Sequence, residues 1–266
     1  MTTLEAPAGP RIVSYAAWVE ERKALLAEEK ELTRRRDELA RRRRELPWVK
    51  IEKEYWFDGP NGRESLGDLF AGRSQLIVYH FMFAPGWEEG CPACSLMGDH
   101  IDGSVPHLAA RDVTLLAVSR APLAELAPFR QRMGWRFKWV SSSGSDFNYD
   151  RAVAVTPEMI GSGTATYNFR PIPPDAPTTL LDLPGVSVFY RNEEGEIFLT
   201  YSVYARGLEP MLGVYNWLDL VPDGRDEEGL PFPMVWLRHH DRYDPGCEVD
   251  PDEGYPVAAG RKGCCE

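Results

Sequence analysis

The sequence has no run of apolar residues near the roughly 18 that a membrane-crossing helix needs, so a membrane-embedded role is not expected. Residues 1–10 lack a basic stretch leading into an apolar one; no export signal is read there, and a cytoplasmic location is expected. Cysteine is scarce, at five in 266 residues, an odd number that cannot all pair. That excludes the disulfide-framework class of small secreted domains and points to reduced thiols, with any disulfide transient or catalytic. Positive charge is also short. Lys and Arg number 30 against 41 Asp and Glu, a formal net charge of -11. No nucleic-acid partner is expected, because phosphate binding rests on basic surface. There is no internal repeat.

What is present starts with a helix. Residues 14–46 contain no Gly or Pro, are rich in Ala, Leu, Glu and Arg, and stop at Pro47. Trp18, Leu25, Leu32, Leu39 and Leu46 recur every seven residues, with Val19, Leu26 and Ala40 beside them and Thr33 the polar member of that row. This single narrow stripe suits a helix lying along its own domain or pairing with a second copy in a homodimer. The basic runs 34–36 and 41–44 are interleaved with Glu28, Glu29, Glu31, Asp37, Glu38 and Glu45, which reads as a solvated mixed-charge face.

Three parts are expected: a helical extension over 1–46, a domain over 47–222 and a C-terminal extension over 223–266. In the domain, residues 48–57 are β-prone and the turn residues Asp58-Gly59-Pro60-Asn61-Gly62 make a hairpin. A helical turn fits 65–70. QLIVYHFMF (75–83) is a continuous apolar run, the mark of a central strand buried on both faces. A helix over 95–110 follows, its far half weakened by Gly98, Gly103 and Pro106. VTLLAVS (113–119) is a second buried strand, 122–133 a second helix closed by Gly134, and 137–140 a third strand. The alternation predicts right-handed βαβ units and a parallel sheet, hence an α/β class. Residues 141–185 are loop-rich; 186–191 and 196–201 form a hairpin, 208–220 is helix-like, and the tail after about Asp244 is expected to be poorly ordered.

The chemistry concentrates at Cys91-Pro92-Ala93-Cys94. The pair follows a buried strand and opens a helix, with Pro92 at the first helical position, where a missing N–H costs nothing. Cys91 then stands at the N-cap, facing unpaired N–H groups and the positive end of the helix dipole, both of which favour thiolate. Cys94, one turn along, can attack a mixed disulfide on Cys91. The helix dipole supplies only about 0.3–1 kcal/mol, less than one pKa unit, and Glu88 and Glu89 oppose it if they point inward. Two other readings stand beside a redox dithiol: structural cysteines, and a zinc site completed from His239, His240, Cys247, Cys264 and Cys265. No second Cys-x-x-Cys and no His-x3-His supports zinc, so no metal and no organic cofactor is expected.

The segments YHFMFAPGWEEGCPACS, RDVTLLAVSRAPL, RMGWRFKWVSS, GSDFNYD, LPGVSVFY, TYSVYARGL and GVYNWLDL, with the N-terminal KELTRRRDELARRRRELPWV, resemble the DUF899 family of bacterial thioredoxin-like proteins over about residues 10–243. The resemblance implies a thioredoxin-like fold carrying a long N-terminal helix and a β-hairpin extension, and a dithiol–disulfide oxidoreductase role without a defined substrate. Two departures from ordinary thioredoxins stand out. Gly90, not Trp, precedes the first cysteine, with Trp87 three residues further back. Pro184 lies one residue off the position of the cis-proline that faces the dithiol.

Cys91 and Cys94 are therefore the candidate catalytic residues, and Trp87, Pro184 and Arg120 the candidate substrate-binding residues. Arg120 falls at the C-terminal edge of the sheet, where α/β sites gather, and reads either as an anion anchor or as an ordinary surface arginine. His80 reads as a core histidine before a helper of Cys91, and Asp146-Phe147-Asn148-Tyr149-Asp150 as a loop. The expected partners are a protein or small-molecule disulfide and an external reductant. The competing functions are a thiol peroxidase, whose Pro-x-x-x-Thr-x-x-Cys motif fails here at Glu88 and Pro85, and a non-catalytic binding protein.

Overall fold

The structure, a computed structural model, describes residues 10–179 and 181–243. The chain divides into two compact units, one ending at Pro47 and one beginning at Trp48. The first contains α1, Tyr15–Arg44. Ser14 caps it, its Oγ accepting the Ala17 N–H at 3.3 Å. Arg41, Arg42, Arg43 and Arg44 crowd the last turn, where the helix dipole favours cations. Glu31 holds Arg34 and Arg35, and Glu38 and Glu45 hold Arg41, so these basic residues are paired within their own helix. No residue of α1 is buried, and Trp18, Leu25, Leu32 and Leu39 are each about half exposed.

The second unit contains, in chain order, strands β1 (Val49–Lys50), β2 (Trp56–Gly59), β3 (Gly62–Ser65), β4 (Gln75–His80), β5 (Val113–Ser119) and β6 (Trp139–Ser141). A separate ribbon, β7 (Thr166–Tyr167) and β8 (Arg170–Pro171), precedes β9 (Gly185–Arg191) and β10 (Ile197–Tyr204). The helices are α2 (Pro92–Ala109), α3 (Leu123–Arg132), α4 (Phe147–Asp150), α5 (Pro157–Gly161) and α6 (Gly213–Leu218). All strands except β7 and β8 form one sheet of order β1-β10-β9-β4-β5-β6-β2-β3. β4 runs parallel to β5 and antiparallel to β9, and β5 runs parallel to β6. The β2–β3 hairpin turns through Pro60-Asn61 with Gly62 at φ +113°, a backbone that side chains rarely tolerate.

Strand alternation splits the sheet into two apolar faces. Tyr79, Ala117, Trp139 and Val186 face one way and pack with Cys94, Met97, Leu126 and Phe129 of α2 and α3. Leu76, Val78, Leu116, Val118 and Phe189 face the other and pack with Phe57, Leu69, Phe70 and Phe147. Trp139 sits among Phe81, Phe129 and Trp135 with ring centroids 4.5, 6.3 and 5.9 Å away; such aromatic pairs add about 0.5–1.5 kcal/mol each beyond their buried area. A dithiol helix leaving the central parallel strand, with an antiparallel hairpin beside it, makes the fold α/β and thioredoxin-like.

The helix expected over 95–110 is present, and three other segments differ from the sequence reading. α2 continues through Gly98, Gly103 and Pro106 to Ala109; Gly98 is required, since a Cβ there would meet Trp135 Cζ2 at 2.7 Å. Residues 147–150 form the short helix α4 after Asp146 at its N-cap, pinned by Lys53 Nζ at 2.8 Å from Asp146 and 2.7 Å from Asp150. Residues 208–220 are not one helix: Pro210 lies in a 3₁₀ segment, Ala205–Met211, and α6 begins only at Gly213. Residues 223–243 pack into the second unit, with Leu237 and His239 buried. Glu227 organises them, its Oε1 accepting from Tyr215 Oη at 2.6 Å, the Met234 N–H at 2.8 Å and Trp236 Nε1 at 2.8 Å. The tail from Asp244, with Cys247, Cys264 and Cys265, lies outside the described residues.

Candidate active site

Beyond β4 the buried residues Phe81, Met82 and Phe83 lead into the loop 84–90, which the Cys91 N–H closes by donating to the Met82 carbonyl at 3.2 Å. Cys91 then caps α2, with φ -56° and ψ 130° and Pro92 as the first helical residue. The thiols differ in setting. Cys91 is partly exposed, whereas Cys94 is 2% exposed, and both are free. A hydrogen bond from the Cys94 thiol draws the Cys91 pKa down to about 7; the backbone N–H groups of Cys94 and Ala93 assist, against the opposing effect of burial. Burial, reinforced by the neighbouring Cys91 sulfur, pushes Cys94 well above its ordinary value. The Met82 N–H, 3.5 Å from Cys94 Sγ, and the Tyr79 hydroxyl both donate to that buried sulfur. Tyr79 lies inside an apolar run, which hides its role in the sequence, yet strand alternation alone places it on the α2 face.

The same alternation turns His80 away. Its ring packs on Phe147 at 5.6 Å, its Nε2 lies 2.9 Å from Ser187 Oγ, and burial lowers its pKa to about 3. His80 is thus a neutral core residue on the face opposite the dithiol. Glu89 does not aim at the thiols either: its carboxylate is held by Arg132 and, at 2.7 Å, by Arg242, which balance its charge. His239 Nε2 lies 2.8 Å from the Gly90 carbonyl, to which it donates, while Nδ1 accepts from Arg132 at 3.2 Å. Among the described residues no group of three or more His, Cys, Asp or Glu is arranged to hold a metal.

Gly90 fits so tightly that a Cβ would meet Phe81 Cε1 at 2.6 Å and Phe129 Cε1 at 2.9 Å. The tryptophan of ordinary thioredoxins has no room here. Gly90→Ala is expected to cost about 1–3 kcal/mol through overpacking, read as a lower urea midpoint. An unchanged midpoint would show that the two rings give way.

A cavity of about 270 Å³ opens beside the dithiol, lined by Cys91, Cys94, Tyr79 and Pro184 and walled by Leu208, Leu212 and Met234. Pro184 therefore lies at the site, in a trans peptide, since no described residue has a cis bond. Tyr167 ties the wall together: its hydroxyl donates to the Pro184 carbonyl at 2.8 Å and accepts the Ala205 N–H at 3.0 Å. Trp87 packs against the core that contains Cys94 and does not line the cavity. Arg120 does not line it either. Asp182 occupies one edge of its guanidinium, accepting from Nε at 2.7 Å and Nη2 at 2.6 Å, and Tyr149 Oη accepts from Nη1 at 2.7 Å. The cavity wall from 205 to 234 carries no local sequence signal, because its apolar residues are scattered among Gly, Pro and charges.

No curated protein matches the sequence. Among solved structures, the peroxidoxin BcpB of Mycobacterium tuberculosis is similar at 10% identity and a TM-score of 0.41, over 62% of this chain and 93% of that one. The PrxQ protein of Xylella fastidiosa is similar at 13% identity and a TM-score of 0.42, over 65% and 96%. The bacterioferritin comigratory protein of Xanthomonas campestris is similar at 12% and 0.40, over 62% and 92%. The family model described as "Bacterial protein of unknown function (DUF899)" matches residues 7–243, nearly the whole chain, and the protein belongs to that family.

Proposed function

We propose that this protein is a thiol–disulfide oxidoreductase in which Cys91 attacks and Cys94 resolves. The observation that carries the reading is the asymmetry of the pair: a partly exposed thiol at the N-cap of α2 with its pKa near 7, and a fully enclosed partner one turn along. The Cys91 thiolate attacks a substrate disulfide and displaces one thiolate. Cys94 gives up its proton, attacks Cys91 Sγ and releases the second thiolate, leaving a Cys91–Cys94 disulfide. An external dithiol, in the reducing cytoplasm where such a pair would be recharged, returns the protein to its starting state. Mild oxidation followed by peptide mass mapping should link Cys91 to Cys94; a bridge from Cys91 only to Cys247, Cys264 or Cys265 would overturn the proposal. Faster consumption of a hydroperoxide than of any disulfide would replace it with the peroxidase reading.

The thiol settings fix a pH dependence. Because only the thiolate reacts, the rate of Cys91 alkylation should climb with pH through a midpoint of about 7 and level off above it. Cys94, pushed upward by burial, should stay silent over that range. A Cys91 midpoint near the ordinary thiol value of about 8.5 would show that the N-cap and the Cys94 hydrogen bond do not act on it.

A further inference from the structure

The cavity beside the dithiol bears on which disulfides can reach it. It is bounded mostly by Met, Leu, Ala and Pro side chains, with Arg206 and Glu209 the charged groups at its edge. These two pair with each other at 2.7 Å, and Glu209 also meets Arg225 at 3.2 Å, so opposite charges balance at that edge. Its 270 Å³ exceeds the roughly 150 Å³ of an apolar cavity that accepts benzene. A second apolar cavity of about 280 Å³, lined by Ile77, Ile101, Leu108, Leu115 and Val186 among others, shares Tyr79 and Met97 with the first. Tyr79 and Met97 form the wall common to the two. The wall of the first also holds two non-glycine residues in the left-handed region, Ala205 at φ 49° and Met234 at φ 71°. Such backbone costs on the order of 1–3 kcal/mol and persists where surrounding structure enforces it, commonly at ligand sites. Here the Tyr167 bridge fixes Ala205 and the Glu227 carboxylate fixes Met234.

Resting on the dithiol reading above, we propose that the substrate is a small-molecule disulfide bearing an extended apolar substituent, which occupies this cavity while its sulfur meets Cys91. Alkyl pyridyl disulfides of increasing chain length probe this directly. The Cys91 thiolate attacks the alkyl-bearing sulfur, the S–S bond of the probe breaks, and pyridinethiolate leaves with the electron pair. Cys94 then loses its proton to solvent, attacks Cys91 Sγ and expels the alkanethiolate, which takes up a proton. The probe gains two electrons and the protein dithiol becomes one disulfide, so a single turnover needs no added reductant.

Release of pyridinethione from the reduced full-length protein is followed for methyl through octyl probes. Each methylene that enters the cavity raises the rate up to about fourfold, and the octyl-to-methyl ratio is expected on the order of 100 before the series levels off. Leu208→Trp, and independently Leu212→Trp, fill the space and should bring the ratio to about one-tenth of that value. The ratio is taken within each protein, so a general loss of reactivity cancels, and two separate fillings guard against one that fails to fold. Rates independent of chain length, or a ratio untouched by both fillings, would overturn the proposed substrate class and leave the dithiol chemistry standing. Rates with every probe no faster than those of Cys91→Ser would instead overturn the dithiol reading itself.

Discussion

Cys94→Ser, mixed with a disulfide substrate, accumulates as a stable adduct on Cys91 that dithiothreitol releases; Cys91→Ser captures nothing. Ionisation alone does not create this difference. At pH 7 a thiol with a pKa of about 7 is roughly fifteen times more ionised than one at about 8.5, but the lower basicity takes back about fivefold in intrinsic nucleophilicity. The net advantage over an ordinary thiol is only about threefold, and burial, which pushes Cys94 higher still, widens it. Access decides the rest, because Cys94 is 2% exposed and covered by Tyr79 and the Met82 N–H, whereas Cys91 is partly exposed. In wild type the mixed disulfide is short-lived because Cys94 lies beside Cys91. Serine at 94 keeps a hydroxyl for the Cys91 sulfur but cannot expel the bound thiol. Intact-mass spectra of both variants after exposure to a disulfide are the check. If Cys91→Ser carries the adduct and Cys94→Ser does not, the assignment of attacking and resolving thiols is reversed.

The sequence made the dithiol legible because three independent rules meet at residues 91–94: a buried strand before them, proline at the first helical position and a helix after them. It also made the central sheet legible, since QLIVYH and VTLLAVS are long apolar runs with no competing pattern, and β5 falls on residues 113–119 as expected. It did not show the cavity. Tyr79, Pro184, Leu208 and Met234 are far apart in sequence and meet only once the 205–243 segment folds back, an arrangement that depends on the Glu227 carboxylate and the Tyr167 hydroxyl. Hydrogen bonds of that kind leave no periodicity. A stretch dense in Gly and Pro reads as an extension until its few apolar residues are seen to share one wall. Arg120 shows the reverse limit. Its place at the sheet edge is visible in the sequence, but its partner, Asp182, lies 62 residues away in a loop without pattern.

That partner carries the largest expected effect on stability. Asp182 is 3% exposed and Arg120 16%, and they meet through two parallel hydrogen bonds, the geometry in which a guanidinium and a carboxylate bind most strongly. Asp182 also pairs by backbone with Ala154, and Leu183 donates to the Val153 carbonyl at 2.9 Å, so the clamp anchors the segment leading to Pro184 at the cavity. Asp182→Ala leaves a mostly buried guanidinium with Tyr149 Oη as its remaining side-chain acceptor, and breaking such a pair costs about 3–5 kcal/mol. At about 2–4 °C of Tm per kcal/mol for a domain of this size, the melting temperature should fall by about 6–20 °C. Removing both charges is a different change, because the cost lies in stranding one ion rather than in losing the attraction. The double variant Arg120→Met with Asp182→Leu should therefore recover most of the loss. Thermal unfolding of the three proteins measures this. A single variant within about 1 kcal/mol of wild type would rank the pair with exposed ion pairs, which contribute that little, and would return Arg120 to the candidates for contact with substrate.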